Sequence, residues 1–177
     1  MRWILLWFLA LPVAAQQVTL NDYLAAPQNY GTVVLTRHAL APGGGDPANF
    51  DISDCTTQRN LNDVGRQQAQ ALGATLAAVG FEAVYSSPWC RCMQTAELMN
   101  LGEVEPHPGL ASFFEGHADR TETLQALNEL LQQDPKQKRL MVTHFVVISA
   151  LTGLGVGSGE SVVYDPATKA SWRLVIP

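Results

Sequence analysis

The chain predicts a three-layer α/β sandwich, a mostly parallel sheet with helices on both faces. Three observations lead there. Short apolar runs, Thr32–Thr36, Glu82–Ser86 and Leu140–Thr143, are separated by longer stretches with helical periodicity, the pattern of crossover units. No repeat, low-complexity tract or linker interrupts that alternation. Finally, the first and third runs each end in a histidine, as Arg37-His38-Ala39 and Thr143-His144, at the carboxyl edge where open α/β sheets bind ligands.

The elements follow in order. Arg2, the apolar stretch Trp3–Leu11 and the small residues Val13-Ala14-Ala15 read as a secretory signal peptide over residues 1–15. That stretch is shorter than the ~20 residues of a membrane span, so the expected membrane contact is transient and the expected location periplasmic or secreted. Residues 16–177 then form one domain, a usual size for a single core. Thr32–Thr36, β-branched and preceded by Gly31, is a buried first strand. A long loop from Leu40 to about Asn60, with Gly43-Gly44-Gly45 as a turn or mobile piece, is placed over the site by its length.

Asn62 caps a helix to about Val79, with Val64, Ala69, Leu72, Leu76 and Ala77 as its apolar face and Gly80 as its stop. Glu82–Ser86 is the second strand, and Ser87-Pro88 starts a helix to about Met99 with the hydroxyl as cap. The Pro- and His-containing stretch Glu103–Pro108 reads as irregular. A helix over Asp119–Gln133 turns Leu124, Leu127, Leu130 and Leu131 inward. Leu140–Thr143 is the third strand, Phe145–Thr152 a buried helix ending at Gly153, and Ser161–Tyr164 with Ser171–Ile176 a hairpin.

Sixteen Asp and Glu against eleven Lys and Arg give a formal net charge of -5, and the cations form no stripe, which excludes a nucleic-acid surface. Any cationic site must be local. Cys55, Cys90 and Cys92, in an exported chain, allow one disulfide and one leftover thiol. On a helix, Cys90 and Cys92 point about 200° apart, so only one of them can face Cys55; the sequence leaves open which.

Arg37 and His38 after strand one, Arg91 in the first turn after strand two, and His144 after strand three all fall at one edge. Guanidiniums hold phosphoryl oxygens through bidentate charge-assisted bonds, and a helix start adds backbone N–H donors. A neutral imidazole can attack phosphorus in line.

These segments resemble the histidine phosphatase superfamily, the phosphoglycerate mutase-like family. Its Arg-His-Gly signature stands here as Arg37-His38-Ala39, and its Ser-Ser-Pro-x-x-Arg-x-x-Gln-Thr-Ala segment as Ser86-Ser87-Pro88-Trp89-Cys90-Arg91-Cys92-Met93-Gln94-Thr95-Ala96. Its late histidine stands as Thr143-His144, and Arg59-Asn60-Leu61-Asn62-Asp63-Val64-Gly65 resembles the start of the helix after the first site loop. The resemblance covers most of residues 30–165. It implies a phosphoglycerate mutase-like fold and a metal-independent phosphomonoesterase without cofactor. His38 would be the nucleophile that forms a phosphohistidine, with Arg37, Arg91 and His144 binding the phosphoryl group of a small substrate.

Two departures bear on turnover. Ala39 replaces the glycine, tolerable unless φ is positive. Ser112, in Leu110-Ala111-Ser112, stands where many members carry the glutamate that protonates the leaving group. Glu115 and Asp46 are the substitute acids within reach in sequence, each also readable as a solvated loop carboxylate. A protein that kept the pocket and lost turnover, a phosphate- or phosphoester-binding module, is therefore the alternative. Phe145 in place of aspartate after the late histidine points away from the phytase branch, and export argues for hydrolysis over mutase activity.

Other chemistries fall on spacing. Six residues beyond the three cysteines stand Leu61, Ala96 and Leu98, which rules out a Cys-x5-Arg thiol phosphatase. Gly43-Gly44-Gly45 lacks the following Lys-Ser/Thr of a P-loop. His38, His107, His117 and His144 show no metal-ligand spacing. Trp89, Phe113 and Phe114 are either core or pocket wall, and Glu160 either braces the His144 loop or is a surface carboxylate. Substrate and oligomeric state are not encoded in any motif.

Overall fold

The computed structural model describes residues 16–176, so the signal peptide expected over 1–15 lies outside the described residues. The elements are β1 (Gln17–Thr19), α1 (Leu20–Ala25), β2 (Val33–Arg37), α2 (Asp63–Leu76), β3 (Ala83–Ser86) and α3 (Cys90–Met99). Then come β4 (Val104–Pro106), α4 (Arg120–Gln132), β5 (Arg139–Thr143), α5 (Phe145–Thr152), β6 (Ser161–Tyr164) and β7 (Ser171–Val175). The seven strands form one sheet in the order β1-β7-β6-β2-β5-β3-β4, in which β6 alone runs antiparallel to its neighbours.

Strand residues alternate between two apolar layers, as the two-residue pleat requires. Val34, Leu140, Val142 and Val163 pack with Ala69, Leu72 and Leu76 of α2 and Cys92, Ala96 and Met99 of α3. On the other face, Val33, Leu35, Met141 and Val162 pack with Leu127, Leu130 and Leu131 of α4 and Val147 and Ile148 of α5. The central strands β2 and β5 are covered on both faces, which is why they read as continuous apolar runs.

Several boundaries and faces differ from the sequence reading. β1, α1 and β4 were not expected; β4 is an edge strand that tolerates Pro106 at its end. Asn62 caps α2 as expected, accepting the Gly65 N–H at 2.8 Å, and Gly80 ends the following 3-10 turn with φ 67°. The buried face of α2 is shifted, however: Val64 and Ala77 are exposed, and Gly65, Ala69, Leu72, Gly73 and Leu76 face inward. The helix comes so close that a Cβ at Gly65 would run into the Leu40 carbonyl oxygen, and one at Gly73 into that of Met99. Bare glycine, not valine, marks the contact. Leu124 is only half-buried.

Arg139, at the start of β5, is 1% exposed and donates to the Leu130 carbonyl at 2.6 Å and the Leu131 carbonyl at 3.3 Å. It thereby adds donors to carbonyls of the last turn of α4, of which that of Leu130 also accepts the Gln133 N–H at 3.3 Å.

Candidate active site

Parallel pairing sets the site. Arg37 of β2 is opposite Thr143 of β5, and pairing continues one residue further, with the His38 N–H on the Thr143 carbonyl at 2.9 Å. Past the end of β3, the Ser87 N–H reaches the Val142 carbonyl at 2.8 Å. His38, His144 and Ser87 thus leave three neighbouring strands at one edge. Beside them opens a cavity of about 180 Å³ lined by Arg37, His38, Arg59, Arg91, Ser112 and His144, with Gly43–Gly45, Phe114 and Phe145 completing its wall.

The His38 ring is oriented by its own chain: Nδ1 is 2.8 Å from the Ala39 carbonyl oxygen. A carbonyl can only accept, so Nδ1 carries the hydrogen and Nε2 the lone pair. Burial, opposed by that hydrogen bond and reinforced by the charges of Arg91, Arg37 and Arg59, pushes the His38 pKa down to about 3. The ring is neutral at ordinary pH. Ala39 has no positive φ, so alanine fits without strain, and its N–H donates to Thr95 Oγ1 of α3 at 3.0 Å.

His144 lies 5.5 Å from His38, centroid to centroid, and burial with the nearby Arg91 charge also holds it well below the usual imidazole range. Its Nε2 is 2.8 Å from Ser87 Oγ, which accepts the Trp89 N–H at 3.4 Å and so can turn its own hydrogen to the imidazole. In that arrangement the His144 hydrogen sits on Nδ1. Ser87 therefore serves His144 more than it caps α3, whose N-cap is Trp89. The backbone donors expected there are largely occupied, because the Cys90 N–H is held by Gln58 Oε1 at 2.9 Å.

The sequence reading missed Arg59 as a site residue. Its guanidinium lines the cavity together with those of Arg37 and Arg91, and Nε of each of the three lacks a protein partner. Asp46, read as a possible acid, is instead the counterion behind them. It accepts from Arg91 at 2.7 and 3.1 Å, from Trp89 Nε1 at 3.1 Å and from the Arg59 N–H at 3.1 Å. Burial raises its pKa, but these bonds together hold it below the ordinary carboxylate value. It stays ionised and cannot donate.

Glu115 does not line the cavity. It sits in left-handed backbone, φ 58°, half-exposed, with its carboxylate against Gly45 and 3.9 Å from His117 Nε2. Ser112 does line it, its Oγ taking the Phe114 N–H at 3.4 Å. Glu160 pairs with Arg173 at 2.6 Å and holds the Gly157 N–H at 2.7 Å, bracing the tail rather than the His144 loop. Trp89 belongs to the core, Phe113 packs against it, and Phe114 and Phe145 are wall. Among the described residues, no three His, Cys, Asp or Glu side chains converge as metal ligands would.

Cys55 is bonded to Cys90, with Cα atoms 5.6 Å apart, which fastens the Leu40–Asn60 loop to the start of α3 beside Arg91. Cys92 is buried beneath the site with Sγ 3.4 Å from His144 Nε2, and burial pushes its thiol up to about 12, which leaves it inert.

The family model described as the histidine phosphatase superfamily (branch 1) matches residues 33–125, more than half of the chain. The chain belongs to that superfamily. Known structures share the histidine phosphatase fold across most of their length. The protein histidine phosphatase SixA, solved with tungstate, is 19% identical, with 82% of this chain and 93% of that one covered at a TM-score of 0.55. Phosphoserine phosphatase from Entamoeba histolytica, solved with 3-phosphoglyceric acid, is 16% identical over 81% and 95%, TM-score 0.56. The mycobacterial glucosyl-3-phosphoglycerate phosphatase is 15% identical over 81% and 98%, TM-score 0.52. At these identities the likeness establishes the fold, a seven-stranded, mostly parallel sheet with helices on both faces.

Proposed function

We propose that the protein is an exported, metal-independent phosphomonoesterase that works through a phosphohistidine on His38. One observation carries this reading: the Ala39 carbonyl fixes the His38 hydrogen on Nδ1, leaving a neutral Nε2 lone pair beside three guanidiniums and His144. Arg37, Arg59 and Arg91 hold the phosphoryl oxygens and stabilise charge on the transferring group, and His144 Nδ1–H adds a donor. The Nε2 lone pair attacks phosphorus in line, the bond to the leaving oxygen breaks, and water then attacks phosphorus and returns the pair to Nε2. Relatives that act on phosphorylated compounds or hold tungstate support phosphate chemistry here, and the Cys55–Cys90 bridge supports export.

The test is hydrolysis of 4-nitrophenyl phosphate by the mature protein in EDTA, wild type beside His38→Ala, with trapping of labelled phosphohistidine. The expected result is turnover and label in the wild type and neither in the variant. Phosphate binding without label or turnover would instead establish the alternative, a phosphate-binding module, which the lack of a carboxylate among the cavity-lining residues favours.

A further inference from the structure

The groups around the phosphoryl site divide into those that hold an anion and those that touch what the anion is attached to. The second set lacks a proton donor of ordinary acidity. Guanidiniums do not release protons near neutral pH, and the Ser112 hydroxyl is far too weak an acid. His144 is neutral, Asp46 is an ionised partner of Arg91, and Glu115 stands outside the lining. Gly43, Gly44 and Gly45 contribute no side chain at all.

What the mouth does offer is aromatic. Phe114 and Phe145 are 40% and 39% exposed, the most exposed aromatic side chains among the buried-to-open transition of the site, and their rings meet edge to face at 5.7 Å. Phe145 follows His144 directly and lies under the Arg37 guanidinium, 5.3 Å from its ring centre. A ring joined directly to a phosphoryl group held by Arg37 would come against that pair, and offset or edge-on aromatic contacts are favourable.

We infer that the site takes phosphoryl groups carried on a flat aromatic ring, a phenol-type oxygen leaving as its own stabilised anion with no proton from the protein. The inference rests on the phosphatase reading above. In the first half-reaction His38 Nε2 forms the N–P bond while the P–O bond to the ring breaks, its electron pair leaving on the aryloxide, which takes a proton from solvent. In the second, a water oxygen bonds to phosphorus, the P–N pair returns to Nε2, and both water hydrogens leave with dihydrogen phosphate.

The experiment compares kcat/KM for aryl phosphates of graded phenol acidity with fluorinated alkyl phosphates matched in leaving-group acidity, with His38 labelling measured alongside. The expected result is a fall approaching tenfold for each unit of leaving-group pKa, as departure without proton donation requires. Aryl esters should outrun matched alkyl esters about tenfold, an advantage lost in Phe145→Leu and Phe114→Leu. A shallow dependence on leaving-group acidity, or equal rates for matched aryl and alkyl esters, would overturn the inference, and continued His38 labelling would leave the phosphohistidine reading standing. No turnover and no label anywhere in the series would overturn both.

Discussion

Asp46 grips Arg91 with both carboxylate oxygens, at 2.7 and 3.1 Å, across 45 residues of sequence and with both side chains at most 4% exposed. A buried pair of this kind contributes little net stability but is hard to break, because the remaining charge is stranded. Asp46→Asn is expected to destabilise the fold by about 3 kcal/mol in urea titration. It should lower kcat/KM through misplaced Arg91 while leaving the limbs of the pH–rate profile where they are. Loss of a limb would make Asp46 a proton donor and contradict its ionised state.

Arg59 offers the cavity a guanidinium whose Nε has no protein partner. Arg59→Met keeps the stem and removes the charge. Inhibition by phosphate or tungstate should weaken about 10- to 100-fold, the size of one or two charge-assisted bonds, with the urea midpoint nearly unchanged. Unaltered inhibition would place Arg59 outside the anion site.

The Cys55–Cys90 bridge closes a loop with a sequence separation of 35 that carries Gln58 and Arg59. Chain entropy assigns such a link about 3–4 kcal/mol. The double variant Cys55→Ser, Cys90→Ser should unfold at correspondingly lower urea, and its KM should rise more than its kcat falls, because anion-holding groups ride on the freed loop.

His38 and His144 are both held neutral by burial. In the unfolded chain imidazoles take up protons near pH 6.5, so below that pH the unfolded state binds more protons than the folded one. Stability is complete above pH 6.5 and falls as pH falls toward the folded-state value, about 3 for His38, by up to about 1.4 kcal/mol per pH unit for each histidine. Urea midpoints at pH 7, 6 and 5 should decline accordingly, with a shallower slope in His38→Gln. A flat profile would mean that the rings are charged in the folded protein.

Gly65 lies where α2 crosses the backbone of Leu40, two residues after His38. Gly65→Ala should destabilise by about 1–3 kcal/mol and lower turnover, since the carbonyl it strikes belongs to the start of the site loop. Activity and stability at wild-type levels would show that this backbone can yield.

The sequence by itself determined the layered α/β class and the edge at which His38, Arg91 and His144 meet. Central strands covered on both faces read as unbroken apolar runs, and the residue after each run lies at the carboxyl edge whatever packs above it. It left β1 and β4 unread because three-residue edge strands carry too little pattern, and it misplaced the face of α2 because a close helix contact selects glycine over a larger apolar residue. Only the tertiary structure chose Cys90 over Cys92 for Cys55, brought Arg59 to the cavity, and made Asp46 the ionised partner of Arg91 instead of a proton donor. All of these depend on the path of the Leu40–Asn60 loop. Its hydrogen bonds and disulfide join residues far apart in sequence, and no local periodicity records where such a loop comes to rest.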